Sequence, residues 1–419
     1  MRQLRRVVAG RAGWRTGNTP ASAFRPVRAE GTQIVGDDGR IVLDCWAGNG
    51  AVLAGHHHPR VFAAQQRHEL NRRLGTAEPF LADAQVALAA NLAELAPGGD
   101  ALVSFYPSRQ EALLAAMMLA QRRHAGKRPL IVNFSPEIPL IKHMVPLPYG
   151  EAGALALQLH LRKNGPRALL PGAILAEPLS VALGNRLPPA GFLKRLRRLA
   201  DEFGLVLISD ESRCGLGRTG ALFASEHDGI VPDITVVGSG LGGGVADIVA
   251  VLLNRRMFAR IVGQMKTITM PEDQRGCWGQ TMLIGSAVLN ALIDDGLIRN
   301  AGVVGQYLRQ RLLELRQRHP QRLAAIHGRG LMIGIELRRS PAAIVARTAA
   351  TLLFADHGIY AGSAQGNRHV LTVTPPLSFS RDEADQLVNA LETILSYNYV
   401  SLLWRTSRAN RTARISVMK

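Results

Sequence analysis

The sequence predicts an α/β protein with a large domain, built on a mostly parallel sheet flanked by helices, and a smaller α+β domain. Three observations support this prediction. Apolar runs of strand length alternate with runs of helical periodicity between residues 84 and 209, which is the pattern of βαβ units. Residues 205–208 are apolar at every position, as expected for a strand buried on both faces. The length of 419 residues exceeds that of one compact core.

The predicted elements begin with a hairpin. Residues 32–43 carry two β-type runs around a turn signal at Asp38 and Gly39, so we expect two antiparallel strands there. The alternating region that follows predicts helices at residues 84–95, 110–123 and 191–203, and strands at residues 101–105, 130–134, 173–176 and 205–209. Because parallel strands are joined by helical crossovers, this region predicts one largely parallel sheet.

The rest of the chain predicts one more apolar strand and a second, smaller unit. Strands are expected at residues 248–253, 331–337 and 369–374, and helices at residues 282–297, 300–318, 341–357 and 381–395. We therefore divide the chain into an N-terminal segment of the small domain at residues 1–60, the large domain at 61–300, the C-terminal small domain at 301–400 and a basic tail at 401–419.

Composition and charge narrow the class of protein. The chain is 47% apolar, and no run approaches the ~18 to 20 apolar residues that a membrane span needs. We expect a soluble, cytoplasmic protein. The first 28 residues are rich in arginine and lack acidic residues, which leaves the mitochondrial matrix as an alternative. The net charge of +18 is spread over many arginine pairs and aromatic residues make up only 5%, so nucleic acid is not favoured as a partner.

Cysteine and histidine positions do not favour a metal site. Cys45, Cys214 and Cys277 are far apart and lack metal-ligand spacing, so we interpret them as incidental thiols. The run from His56 to His58 precedes Pro59 and is typical of a polar loop, because three adjacent side chains do not converge easily on one ion.

Two segments at predicted strand ends are candidates for a ligand site. Asp210 and Glu211 follow the apolar run that ends at Ser209, and open α/β sheets place their ligands at the carboxyl ends of the strands. Residues 238–244 form a glycine-rich loop whose backbone N–H groups can cradle phosphate. This loop has neither the lysine of a Walker motif in frame nor a dinucleotide-binding pattern.

The order of these motifs resembles the class III aminotransferase family over nearly the whole chain. The matching segments are residues 38–40, 43–44, 47–48, 55–59, 177–178, 210–220, 328–332 and 375–377. Residues 28–31 and 285–288 look most like the diaminobutyrate aminotransferase branch, with ornithine enzymes next. The resemblance implies the fold type I pyridoxal phosphate (PLP) transferase fold, PLP as cofactor and a site built across a dimer interface.

The resemblance also shows what is missing. In the family a lysine forms the Schiff base with PLP and moves the substrate proton, while an aspartate keeps the pyridine nitrogen protonated. Asp210 matches the aspartate, but Ser239 stands at the lysine position, and a hydroxyl cannot form an imine. The chain's lysines are Lys127, Lys142, Lys163, Lys194, Lys266 and Lys419. None of them lies beside a glycine-rich turn at a strand end, so we do not expect a substitute.

Other cofactor positions depart from the family pattern as well. The phosphate-binding turn contains Ser108, Arg109 and Gln110, with Arg109 in place of a glycine whose backbone must approach phosphate closely. Ser212 stands where a valine packs on the ring. Further departures are Thr372 at the position of a carboxylate-binding arginine, Cys277 or Trp278 near that of a cross-subunit threonine, and a shortened segment without the ring-stacking aromatic between residues 134 and 145. We therefore expect no covalent PLP.

Three hypotheses stay open. The favoured one is a catalytically degenerate aminotransferase-like protein that keeps the fold for a binding, scaffolding or regulatory role, as a homodimer or as a heterodimer with an active relative. The second is PLP- or pyridoxamine-phosphate-dependent amino transfer between an amino or diamino acid and a 2-oxo acid such as 2-oxoglutarate. The third is an anion-binding module using Arg109 and residues 238–244. Asp210 has two possible roles, contact with a ligand or a structural role in which it caps a turn or pairs with an arginine. Glu177 and Arg218 are interpreted as structural.

Overall fold

The fold is organised around three β-sheets. A computed structural model describes residues 24–70, 83–123, 130–136, 144–163, 171–262, 279–339, 345–398, 401–402 and 404–409. The N-terminal sheet contains β1 (Pro26–Glu30), β2 (Gln33–Gly36) and β3 (Ile41–Asp44) as an antiparallel meander, and β13 (Ile359–Tyr360) pairs in parallel with β3. The hairpin predicted around Asp38 and Gly39 is confirmed. The pairing with β13 connects the two ends of the chain.

A seven-stranded sheet lies at the centre. Its strands are β4 (Ala101–Tyr106), β5 (Ile131–Asn133), β6 (Met144–Pro146), β7 (Ala173–Ala176), β8 (Val206–Glu211), β9 (Ile234–Gly238) and β10 (Val249–Asn254), in the spatial order β4-β10-β9-β8-β7-β5-β6. Only β10 runs antiparallel to its neighbours. The prediction of a mostly parallel sheet is therefore confirmed.

Both faces of this sheet are buried, which explains the continuous apolar runs. Val206 and Ile208 pack in a cluster with the helix that follows β4. The alternate residues Leu205 and Leu207 pack in a second cluster on the other face, because side chains alternate across a strand.

The helices cover these faces and the C-terminal sheet. They are α1 (Pro59–Leu70), α2 (Asp83–Leu95), α3 (Arg109–Arg122), α4 (Glu151–Lys163), α5 (Phe192–Phe203), α6 (Arg255–Val262), α7 (Gly279–Asp294), α8 (Leu297–Arg318), α9 (Ala346–His357) and α10 (Arg381–Ser396). The third sheet contains β11 (Leu323–Arg329), β12 (Met332–Leu337), β14 (Gly362–Ser363) and β15 (Val370–Val373), all antiparallel, in the order β11-β12-β15-β14.

The predicted boundaries differ from the observed ones where backbone geometry intervenes. The helix expected at residues 282–297 ends at Asp294, because Gly296 adopts a φ of 68° before α8 begins. The helix expected from residue 341 begins at Ala346 within the described chain. Helices α1, α4 and α6 and strands β1, β6, β11, β13 and β14 were not predicted. Strands β6, β13 and β14 have only two or three residues each, which is too short for a periodicity signal.

The length and apolar composition of the described helices bear on whether they could span a membrane. None alone has the length and apolar composition to cross a bilayer, and only the pair α7 and α8, bent by 59° at its break, meets that criterion by length and composition. The buried faces of α7 and α8 lie in the main hydrophobic cluster of the protein.

Candidate functional site

The site is built at the carboxyl ends of β7 and β8. Ala176 and Ser209 are register partners in these parallel strands, so Glu177 and Asp210, each the next residue, lie side by side at one sheet edge. Both are almost completely buried, with 3% and 2% exposure. The fold therefore places two carboxylates where open α/β sheets bind ligands.

Arg109 joins these two carboxylates. It is the first residue of α3. Ser108 caps this helix, because its hydroxyl accepts a hydrogen bond from the Glu111 N–H. The Nη2 of Arg109 lies 2.6 Å from Oδ2 of Asp210 and 2.8 Å from Oε1 of Glu177. Its Nε–H donates to the same Asp210 oxygen at 3.1 Å and to Oγ of Ser212 at 2.9 Å. One guanidinium thus bridges three side chains.

The Asp210 carboxylate is held from its other oxygen as well. The Ser212 N–H and hydroxyl donate to Oδ1 at 3.1 Å and 2.6 Å. With the two N–H groups of Arg109 on Oδ2, the carboxylate accepts four hydrogen bonds. An ionised carboxylate has about four acceptor sites, so these protein donors fill its hydrogen-bonding capacity.

Tyr149 lies next to Glu177 and forms a hydrogen bond with its backbone. Its hydroxyl donates to the Glu177 backbone carbonyl at 3.1 Å, and its ring contacts Phe192 edge-on. Burial, with a smaller effect from the charge of Glu177, raises the pKa of Tyr149 well above its usual value. Tyr149 is therefore a neutral hydrogen-bond donor at physiological pH.

Ser239 lies beside the cluster on the loop after β9. Its hydroxyl donates to the Ser212 carbonyl at 3.0 Å, so the residue predicted to match the family lysine lies beside Ser212, whose side chain contacts both Asp210 and Arg109. The backbone of Ser239 has a φ of 41°, which is costly for a residue with a Cβ. A serine hydroxyl therefore occupies this position of the loop.

The glycines after Ser239 serve packing between protein segments. A Cβ at Gly240 would collide with the Leu53 side chain, and one at Gly244 would collide with Val52. Gly238 lies against Val249, where an added Cβ would be 2.6 Å from a methyl group. Apolar side chains therefore fill the space beside this loop, which is not an open phosphate cradle at these three positions.

A second buried polar group lies on the opposite side of β8. Glu211 is fully buried and accepts hydrogen bonds from the N–H groups of Ala224 and Ser225. Burial raises the pKa of Glu211 to about 7, against the lowering effect of these hydrogen bonds. Asp210 and Glu211 thus have separate partners, because successive strand residues face opposite sides.

Arg218 is the largest fully buried side chain. It donates to the backbone carbonyls of Leu331 at 3.1 Å, Pro375 at 2.8 Å and Gly50 at 2.9 Å. Burial lowers the pKa of Arg218 to about 9, so the group keeps its charge at neutral pH. These hydrogen bonds link Arg218 to three segments that are distant from it in the sequence, which agrees with the structural interpretation of this residue.

The predicted site residues thus divide into three groups. Arg109, Asp210, Ser212 and Ser239 are brought together, and Ser108 caps the helix that carries Arg109. Gln110 is exposed on the first turn of α3, and Thr372 lies in β15. Lys127, Lys142, Lys266, Cys277, Trp278 and Lys419 lie outside the described residues, as do residues 137–143 of the shortened segment between residues 134 and 145. Lys163 and Lys194 are exposed on α4 and α5.

Glu177, interpreted from the sequence as structural, lies beside Asp210 and pairs with Arg109, and Tyr149 was not predicted from the sequence. The position of Glu177 directly after the apolar run 173–176 was a usable signal, because Asp210 follows its own strand in the same way. Tyr149 lies in a short, irregular segment without periodicity, and nothing in the sequence marks its contact with Glu177.

The histidine run has separate partners. His56 pairs with Asp44 at 2.8 Å, His58 with Asp295 at 3.2 Å, and the His57 ring packs against Phe62. In the described part of the chain, no group of three or more histidine, cysteine, aspartate or glutamate side chains is arranged to hold a metal ion.

Comparison with known proteins identifies relatives over most of the chain. The sequence profile described as aminotransferase class-III matches residues 16–137 and 171–395. An ornithine aminotransferase of Bordetella pertussis is 30% identical over 399 residues, covering 88% of this chain and 91% of the relative. A putrescine aminotransferase of Pectobacterium atrosepticum is 29% identical over 394 residues, covering 88% and 81%. The break in the profile match, at residues 138–170, overlaps the segment between residues 134 and 145 that was expected to be shortened.

Solved structures show the same fold. The ornithine δ-aminotransferase of Plasmodium falciparum has a TM-score of 0.81 at 21% identity, covering 94% of this chain and 97% of its own. The acetylornithine aminotransferase of Elizabethkingia anophelis has a TM-score of 0.81 at 22% identity, covering 94% and 98%.

Proposed function

We propose that this chain, which belongs to the class-III aminotransferase family, is a catalytically inactive member that keeps the family fold for a binding or regulatory role. Class-III aminotransferases are PLP-dependent. The observation that carries the proposal is the contact between Arg109 and Asp210, whose closest atoms are 2.6 Å apart. In this contact the Arg109 guanidinium pairs with the carboxylate that the family uses to hold the pyridine nitrogen.

The described residues do not fit PLP in the family's manner. A bound PLP supplies an electron sink only while its ring nitrogen stays protonated, and the family secures this with a carboxylate. Here the acceptor sites of Asp210 are filled by Arg109 and Ser212. The place of the lysine is taken by Ser239, which donates to the Ser212 carbonyl. Neither the imine nor the ring contact has a group available among these residues.

The hydrogen-bonding groups at the first turn of α3 are engaged within the protein, which also argues against phosphate binding in the family's manner. A helix N-terminus attracts an anion when its N–H groups are accessible. Here the Ser108 hydroxyl is in contact with Glu111, accepting from its N–H, and the neighbouring guanidinium is committed to two carboxylates. The same commitment argues against an anion-binding module built on Arg109, because a bound anion would compete with Asp210 and Glu177.

The alternative is amino transfer without covalent anchorage of the cofactor, from a diamino acid resembling diaminobutyrate or ornithine to a 2-oxo acid such as 2-oxoglutarate. The names of the relatives favour a diamine or diamino acid as the substrate class. This alternative requires Arg109 to leave both carboxylates before the ring can bind. The homodimer, the heterodimer with an active relative and the cytoplasmic location stay predictions.

The test is a titration with PLP followed by visible absorbance and borohydride reduction. We expect no imine absorbance and no trapped adduct in the unaltered protein or in Ser239→Lys, because Arg109 still occupies Asp210. The double variant Arg109→Gly/Ser239→Lys removes both obstacles and should yield an adduct on the introduced lysine, located by peptide mass spectrometry. Amino transfer from ornithine to 2-oxoglutarate above a no-enzyme blank would refute inactivity. A stoichiometric adduct on one lysine other than the exposed Lys163 and Lys194 would refute the absence of covalent PLP.

A further inference from the structure

We infer that Arg109 is a built-in counter-ion that replaces a bound cofactor in stabilising the fold, so that the Asp210 and Glu177 pair is a guanidinium-binding site occupied by the chain's own side chain. This inference goes beyond the proposed inactivity, since it concerns what the site needs in order to fold. It holds whether or not another residue supports catalysis.

The first step concerns the free-energy cost of burying two adjacent carboxylates. Glu177 and Asp210 are side by side at the ends of β7 and β8, with side chains only 3% and 1% exposed. An ionised carboxylate buried without a counter-charge is strongly unfavourable, and two adjacent ones repel each other. A fold that keeps both needs a positive group at this edge of the sheet.

The second step is the match between the cation and the site. A guanidinium is planar and always charged, and it directs several N–H groups along fixed directions. Arg109 uses Nη2 to contact both carboxylates and Nε to contact Asp210 and Ser212. A lysine ammonium in the same place is a point charge and cannot reproduce this fork.

The third step is that local structure does not explain an arginine here. Arg109 is the first residue of α3, and a positive charge in the first helical turn is unfavourable with the helix dipole. Glu111, in the same turn, is the residue type that a helix start favours. The benefit of Arg109 must therefore come from tertiary contacts across 68 and 101 residues of sequence.

The fourth step is accessibility. The Arg109 side chain is 19% exposed, whereas its two partners are buried. Of these three side chains, that of Arg109 is therefore the one that reaches solvent. Truncating this side chain leaves a space that reaches the carboxylates from outside and that a small planar cation can enter.

The test is chemical unfolding of Arg109→Ala at pH 7.5, with the exposed Arg198→Ala as matched control. We expect the unfolding equilibrium constant of Arg109→Ala to rise on the order of 100- to 1,000-fold, as when a buried pair loses one partner, and that of Arg198→Ala to rise no more than about threefold. Arg109→Lys should recover only part of the loss. Equal stability of Arg109→Ala and Arg198→Ala would overturn the inference.

Two further measurements separate a charge effect from lost packing. The triple variant Arg109→Ala/Glu177→Gln/Asp210→Asn lacks the charges and should regain much of the stability, even if Arg109→Ala alone does not fold. At millimolar concentration, guanidinium chloride should raise the melting temperature of Arg109→Ala, measured thermally without urea, whereas an equal concentration of sodium chloride should not. A triple variant no more stable than Arg109→Ala, or no difference between the two salts, would overturn the proposal. These readouts involve no PLP, so they are independent of the adduct experiment.

Discussion

Glu211 provides a sharp test of how burial controls stability in this fold. It is the last residue of β8 and fully buried, and its carboxylate accepts N–H groups from the short helical turn at Ala224–Asp228. We consider the substitution Glu211→Gln, which keeps the shape and removes the titrating proton. Glutamine has one acceptor oxygen where the carboxylate has two, so the lost acceptor contributes a pH-independent loss of stability. A pH-dependent difference is added to that loss.

The informative quantity is the change with pH. Burial raises the pKa of Glu211 from 4.5 to about 7, so the folded state binds more protons than the unfolded state between these two values. Stability from this group therefore falls as pH rises through that window and is constant above it. At about 1.4 kcal/mol for each pH unit, the whole effect is about 3 kcal/mol. About 2 kcal/mol of it falls between pH ~5.5 and ~7.5.

The assay is urea unfolding of both proteins at several pH values across that interval. The free energy of unfolding of the unaltered protein should fall with pH more steeply than that of Glu211→Gln, by about 2 kcal/mol over the interval. Glu202→Gln, whose side chain is 52% exposed, is the control and should follow the unaltered protein. Parallel pH profiles of Glu211→Gln and the unaltered protein would refute the reasoning.

Two other predictions concern packing. Gly305→Ala should destabilise the protein by about 1 to 3 kcal/mol, because its Cβ would overlap the Gly330 carbonyl. Gly302→Ala is in the same helix, but the nearest atom to its Cβ would be 3.6 Å away, so this change should stabilise the protein by up to about 1 kcal/mol. Thermal unfolding in which both variants change the stability in the same direction would contradict this account. Arg218→Met should lower the free energy of unfolding by about 3 kcal/mol or more, because three buried carbonyls lose their hydrogen-bond donor. The exposed Arg347→Met is the control in urea unfolding. If Arg218→Met loses no more stability than this control, Arg218 does not stabilise the fold through these contacts.

The sequence by itself was sufficient for the fold class and the family. Periodicity and apolar runs depend only on neighbouring residues, so the strands at β7 and β8 and the helix after β4 were predicted close to their observed bounds. The order of short motifs identified the family, which the profile match confirms. The prediction that Ser239 stands at the family's lysine position also came from the sequence, as a comparison of residue types.

Only the tertiary structure decided what happens at that site. Arg109 lies 101 residues from Asp210 and 68 from Glu177, and its contact with both depends on the register of β7 and β8 and on the direction in which α3 begins. No local pattern encodes such a register, because it results from hydrogen bonds and packing between segments distant in the chain. The sequence therefore left Asp210 with two possible roles, and the position of one guanidinium assigns it to an ion pair.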